Sequence, residues 1–148
     1  MSIIRPRLPY THTPKIHPIE LDWLALEASL TKIGLYMPFG MLDDEYFTVS
    51  LEEWGKILYD LTFASNLYKK NKQDCDWYAL KAKIECEDRH GINTLAFVTG
   101  STPLGYHAFN LICHPNGFML FEPNDGFPFS GSVFELEEYG YFPKYVLI

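Results

Sequence analysis

The sequence predicts an α+β domain in which N-terminal helices pack on a C-terminal antiparallel sheet. Three observations carry this. Before Gly91 the apolar residues recur at helical spacing, as in Trp23, Leu26, Leu30, Ile33 and again in Trp54, Ile57, Leu58, Leu61. After Gly91 the apolar runs become short, aromatic and β-branched, and Asn116-Gly117 between two of them is a strong hairpin signal. Helices first and strands afterwards, rather than the two in alternation, describe α+β.

In chain order, Pro6, Pro9, Pro14 and Pro18 interrupt helix through residues 1–16, which read as an extended arm. A helix is expected over 18–33, with Pro18 in its first turn and Gly34 closing it. Residues 37–48, with Pro38, Gly40 and the acidic Asp43-Asp44-Glu45, read as a connection. Ser50 and Glu53 form an S-x-x-E capping box that starts a helix over 51–66. Lys69, Lys70 and Lys72 make a solvated basic turn, after which Asp74 caps a third helix running to about His90, with Gly91 as its terminating glycine. Strands are expected over 94–98, 106–113 and 118–121, and 139–148 offers a further one. The division is thus an arm (1–16), a helical part (17–91) and a sheet (92–148) within one domain.

At 148 residues and 17.1 kDa one hydrophobic core is the natural expectation. With 47% hydrophobic and 16% aromatic residues the chain can bury enough apolar surface to fold. A net charge of −7 opposes attraction to phosphate backbones or anionic lipid, so neither nucleic acid nor membrane is an expected partner. The arm carries Arg5, Arg7 and Lys15 without an acid, which concentrates the negative charge on the body. No apolar run approaches the ~20 residues needed to span a bilayer, and the start lacks a leader-like apolar stretch, so a cytoplasmic or otherwise non-secreted protein is expected. Three cysteines, Cys75, Cys86 and Cys113, argue against a disulfide framework.

Cys75 falls in the first turn of the third helix, where unpaired N–H groups and the helix dipole favour a thiolate. The same residue begins a stripe, Cys75, Ala79, Ala82, Cys86, that reads equally as a core face. Its small alanines let the helix approach a sheet closely. Cys86 lies roughly 16 Å along the helix from Cys75, beyond disulfide reach. Asp74 and Asp76 oppose a thiolate by like charge unless a cation or hydrogen bonds occupy them. A thiol nucleophile needs a base, and His107 shares a strand face with Phe109, Leu111 and Cys113, where a polar residue wants a reason. Whether the following turn has two residues or four, His107 faces even-numbered positions of the next strand, including Glu122 and Asn124, with Asn124 the nearer. Either residue can fix the imidazole tautomer. The backbone N–H of Cys75 and the Gln73 side chain are candidate oxyanion donors. A zinc site from Cys75, His107 and Cys113 or His114 lacks any C-x-x-C or H-x-x-x-H pair.

At these residues the chain resembles a known group. Asp74-Cys75-Asp76-Trp77-Tyr78-Ala79 is similar to the cysteine box of bacterial transglutaminase-like cysteine proteinases. Gly105-Tyr106-His107-Ala108-Phe109-Asn110 and Glu122-Pro123-Asn124 resemble the corresponding boxes in the papain-like C-terminal domain of a fungal agglutinin. The resemblance covers Gln73 to Gly126. It departs where Trp77 replaces an acid, where Tyr106 separates Gly105 from His107, and where the third position is not aspartate. It implies a papain-like or transglutaminase-like core with Cys75 as nucleophile, His107 as general base and Glu122 or Asn124 as the orienting residue. Calcium, on Asp74 and Asp76, is required by some members of both groups; the residues themselves call for no cofactor. The expected activity is a cysteine-nucleophile hydrolase or acyl transferase acting on peptide or isopeptide bonds of a protein or peptide substrate. The alternative is an inactive binding or regulatory module whose surface is the aromatic set Phe127, Phe129, Phe134, Tyr139, Tyr141 and Phe142. The oligomeric state stays open.

Overall fold

A computed structural model describes residues 14–148, so nearly all of the expected arm lies outside the described residues. The chain runs β1 (Ile19–Leu21), α1 (Trp23–Lys32), β2 (Tyr46–Thr48), α2 (Leu51–Ile57) with a 3-10 turn (Leu58–Leu61), a second 3-10 turn (Ser65–Leu67), and α3 (Cys75–His90). Then come β3 (Leu95–Thr102), β4 (Gly105–His114), β5 (Gly117–Phe121), β6 (Val133–Phe134), a 3-10 turn (Glu138–Gly140) and β7 (Phe142–Leu147). β3 to β7 form one antiparallel sheet in the order β6-β5-β4-β3-β7, and β1 pairs with β2 in a small second one. The fold is therefore α+β, with helices packed on an antiparallel sheet.

The two faces of the sheet own two separate cores. Strand side chains alternate in direction, so Phe109, Leu111 and Cys113 of β4 join Ala96 and Val98 of β3 in a cluster with Leu26 and Leu30 of α1, Tyr141 and Val146. On the opposite face Leu95 and Ile112 pack with Ala82 and Cys86 of α3 and with Trp54, Ile57 and Leu61. Ala79, Ala82 and Cys86 are fully buried, so the small-residue stripe of α3 is the face that meets the sheet. Asn110 of β4 locks that contact: its buried amide donates to the Ala79 carbonyl of α3 at 2.9 Å and to the Ala96 carbonyl of β3 at 3.1 Å.

Three expected elements come out differently. The first helix starts at Trp23, not Pro18, because Asp22 caps it, accepting the Ala25 N–H at 2.8 Å. Ile19–Leu21 instead pairs with Tyr46–Thr48, so the expected connection over 37–48 contains a strand. Trp23 and Ile33, expected on the buried stripe, are 37% and 40% exposed. The second helix keeps its Ser50 cap (Glu53 N–H to Ser50 Oγ, 3.3 Å) but ends at Ile57, continuing as a 3-10 turn only to Leu61. Phe63 is extended there because its backbone is bonded elsewhere, donating to the Pro123 carbonyl (2.7 Å) and accepting from the Asp125 N–H (3.0 Å). The third helix has the expected bounds, but Asp74 at its N-cap makes no capping hydrogen bond; Gly91, at φ 64°, closes it in the left-handed conformation that glycine tolerates.

The hairpin has the register expected of a four-residue turn over 114–117, but His114 and Gly117 themselves pair, as Asn110 does with Phe121, so Pro115-Asn116 rather than Asn116-Gly117 form the tip. The strand expected near the C-terminus is β7, antiparallel to β3. Among the described residues no helix is long and apolar enough to cross a membrane.

Candidate active site

The site forms where β4 outruns its neighbour. β5 ends at Phe121, opposite Asn110, so the part of β4 that precedes Asn110 has no partner strand on that side. The N-terminus of α3 fills the gap. There the Ala108 N–H donates to the Cys75 sulfur and the His107 ring hydrogen-bonds to it as well. His107 Nε2 lies 2.7 Å from Glu122 Oε2, which leaves Nδ1 for the sulfur. Glu122 follows directly on β5 and is 1% exposed, with three donors: His107, the Tyr141 hydroxyl on Oε2 (3.0 Å) and the Asn124 N–H on Oε1 (3.1 Å). The buried carboxylate is thereby satisfied, which is the condition for keeping one inside a protein.

The electrostatics favour a charge-separated pair. The hydrogen bond from His107 holds the Cys75 thiol below its ordinary 9.0, against partial burial, which pushes it up; the Ala108 N–H and the imidazole charge assist, and Asp74 opposes weakly. Burial works against the His107 imidazolium, yet its bonds to Cys75 and Glu122 outweigh that and raise it to about 9. Both shifts favour the thiolate–imidazolium form of the pair over the neutral one. Cys86 and Cys113 sit wholly inside apolar surroundings, and desolvation pushes both thiols far above the ordinary value.

The acids beside Cys75 turn to each other. Asp74 occupies the N-cap position of α3 without capping it, turning instead to the Asn71 N–H at 3.1 Å and to Asp76. Their mutual hydrogen bond lowers Asp74 and raises Asp76. That leaves the Cys75 N–H open at the helix start, available to an oxyanion. Two carboxyls alone fall short of the six to eight oxygens calcium takes. Among the described residues no group of three or more His, Cys, Asp or Glu could hold a metal, so the pair does not fit the calcium expectation and Cys75 and His107 do not fit the zinc one.

No protein-family model and no curated protein matches the chain. Its fold does have solved counterparts. One, described as "PSL1a-E64 complex", aligns at TM-score 0.63 and 17% identity over 87% of this chain and 51% of that one. The chain thus spans about half the length of that neighbour. A likeness at this identity is one of fold.

Of the residues singled out from the sequence, the structure brings Cys75, His107 and Glu122 into one hydrogen-bonded array. Asn124 is not at the imidazole, although strand register placed it nearer. The chain leaves the ladder after Phe121, so Asn124 uses its N–H on Glu122 and its Oδ1 on the Gly126 N–H (2.9 Å), acting as a turn residue that shapes the loop. Gln73 sits in a tight loop closed by paired bonds to Lys69, both 2.8 Å, half-buried two residues ahead of Cys75. Two participants carried no signal of that role in the sequence: Ala108, whose contribution is backbone, and Tyr141, whose hydroxyl reaches Glu122 across 19 positions.

The aromatic residues near the C-terminus form a packed wall. His107 stacks on Phe109 (centroids 6.0 Å), with Phe127 at 5.5 Å and the Tyr141 ring edge-on at 5.9 Å. Behind them Phe129 stacks on Tyr139 at 4.2 Å and meets Phe134 and Tyr141 edge-on. Phe134 and Tyr141 are buried, while Tyr139 and Phe142 are about half exposed. Of the set, Phe127 and Tyr141 border the imidazole, and Phe129, Phe134 and Tyr139 pack behind them.

Proposed function

We propose that the protein is a cysteine-nucleophile hydrolase or acyl transferase that acts on peptide or isopeptide bonds. The observation that carries this reading is the Cys75–His107–Glu122 array, with the sulfur at a helix N-terminus and the imidazole held on its far nitrogen by a buried carboxylate. The resemblance of the boxes around these residues to papain-like and transglutaminase-like cysteine peptidases supports it, as does the shared fold with a neighbour whose description names E64.

In this reading the Cys75 thiolate attacks the carbonyl carbon of the scissile bond. The developing oxyanion meets the Cys75 N–H, with the Gln73 amide as a second donor. His107 gives its proton to the leaving amine, which departs and leaves a thioester on Cys75. The neutral imidazole then takes a proton from water, or from an acceptor amine in the transferase case, as that group attacks the thioester and regenerates the thiolate. Glu122 keeps Nε2–H engaged, so Nδ1 stays aimed at the sulfur.

Iodoacetamide is expected to modify Cys75 alone near pH 6, faster than a simple thiol, while buried Cys86 and Cys113 remain unlabelled. Prior incubation with E64 should protect Cys75. Hydrolysis of a denatured-protein substrate should rise on an acid limb below the ordinary thiol value of 9.0, because Cys75 is lowered, and fall as pH passes about 9, where His107 loses its proton. Slow, equal labelling of all three cysteines, or a Cys75 reactivity that tracks an unperturbed thiol, would sink the reading.

A further inference from the structure

We propose that Tyr141 is a positioning residue for His107, acting through the Glu122 carboxylate: its hydroxyl and the imidazole divide one oxygen between them. The inference rests on the Cys–His reading above and deepens it. Glu122 Oε2 accepts from the Tyr141 hydroxyl at 3.0 Å and meets His107 Nε2 at 2.7 Å, while Oε1 takes the Asn124 N–H. The carboxylate is therefore held at three points, and the direction it offers to the imidazole is set by Tyr141 as much as by its own backbone.

The chain goes to some trouble to deliver this hydroxyl. Between β6 and β7, Glu137 (φ 71°), Tyr139 (φ 55°) and Gly140 (φ 74°) all adopt left-handed backbone. Among the described residues only one other non-glycine, Asn71, has a positive φ. Left-handed non-glycine residues are costly and persist where the surroundings over-determine them. Here the Glu137 N–H bonds the Tyr141 carbonyl at 3.0 Å, closing the loop, and the Tyr141 ring is clasped edge-on by Phe109 (4.8 Å), Phe129 (5.5 Å) and Phe134 (5.4 Å). Packing alone would be served by phenylalanine; only the hydroxyl explains an oxygen aimed at a buried carboxylate. Burial and the Glu122 charge both push the Tyr141 phenol far above its ordinary value, so it stays a donor at any pH at which the protein is folded. The ionisable or charged groups facing His107 are Cys75 from α3, with Asp74 beside it, Glu122 from the segment after β5 and Tyr141 from the loop before β7; Phe109 and Phe127 complete the shell.

The test is an NMR titration of His107 in the full chain, comparing wild type, Tyr141→Phe, Glu122→Gln and the double variant. Removing the hydroxyl leaves Oε2 wholly to the imidazole, so Tyr141→Phe should move the His107 titration upward by roughly half a unit to one unit, the size of one redistributed hydrogen bond. In the Glu122→Gln background the same substitution should move it not at all. No shift, a downward shift, or an equal shift in both backgrounds overturns the proposal. Glu122→Gln alone, which leaves Tyr141 in place, gives a second measurement should Tyr141→Phe fold poorly: the Tyr141 ring-carbon resonance next to oxygen should change, and an unchanged one also overturns it. None of these readouts needs turnover. A Cys75 that proves unreactive would sink the hydrolase reading by itself, with the coupling of Tyr141 to His107 still measured.

Discussion

His107→Ala is expected to slow hydrolysis of a denatured-protein substrate by about a thousandfold, within the range that loss of a general acid–base group brings. Cys75 loses the hydrogen bond that most lowers it, and what remains is a half-buried thiol next to Asp74, whose charge opposes ionisation. Alkylation at pH 6 should therefore drop to the rate of a simple thiol or below. The substitution also carries a stability signature. His107 is raised from 6.5 to about 9 on folding, so it binds its proton more tightly in the folded chain. The stabilisation is fully present below pH 6.5 and is lost as pH rises through about 9. Urea denaturation of the two proteins should accordingly differ most at pH 6 and converge above pH 9. A variant that retains wild-type alkylation at pH 6 would show that the imidazole is not what activates the sulfur.

Cys75 and His107 were legible as candidates because each signal is local. Cys75 follows a capping-type residue at a helix start, and His107 is the polar member of an otherwise apolar strand face. The third partner was half legible. Strand parity put Glu122 and Asn124 on the His107 side, and only Glu122 meets the imidazole; separating them required knowing that the ladder stops at Phe121 and that Phe63 draws Pro123 and Asp125 away into its own hydrogen bonds. That is a tertiary contact between segments about sixty positions apart, and nothing in Glu122-Pro123-Asn124 announces it. The same contact truncated the second helix, whose apolar spacing had argued for continuation to residue 66; backbone groups of Phe63 that find partners in the site loop outweigh a few tenths of a kcal/mol of helix propensity per residue. At the N-terminus, Asp22 prevailed over Pro18 as the start of α1 because a side-chain cap satisfies an orphan N–H, whereas a first-turn proline merely tolerates the position. Tyr141 was legible only as one of a C-terminal aromatic set, since its contact with Glu122 is an oxygen contact delivered by an irregular loop.

Gly100→Ala carries the largest expected structural effect, and it tests whether β7 holds the site together from a distance. At Gly100 the register between β3 and β7 shifts: Thr99 pairs with Tyr145 and Gly100 with Pro143, so Lys144 is an extra residue and the edge strand bulges. Pro143, which has no N–H to offer the ladder, is tolerated there because the strand is at the edge. The bulge brings the chain in so closely that a Cβ on Gly100 would collide with the Phe142 carbonyl oxygen, with the Phe142 carbonyl carbon and Pro143 Cα each 2.8 Å away. These are backbone atoms with no rotamer to yield, so β7 itself must move. Overpacking of this kind costs about 3 kcal/mol, or roughly 10 °C in Tm for a chain of this size. Phe142 is the residue after Tyr141, and the strand cannot shift without carrying the hydroxyl away from Glu122. Thermal unfolding and Cys75 alkylation should therefore fall together, whereas an equally costly cavity in the other cluster, such as Ile57→Ala of α2, should lower Tm while leaving the alkylation rate of the folded protein unchanged. A Gly100→Ala variant that melts within about 2 °C of wild type would mean that β7 can slide to admit a methyl group, and that the close approach is not a fixed constraint on the loop bearing Tyr141.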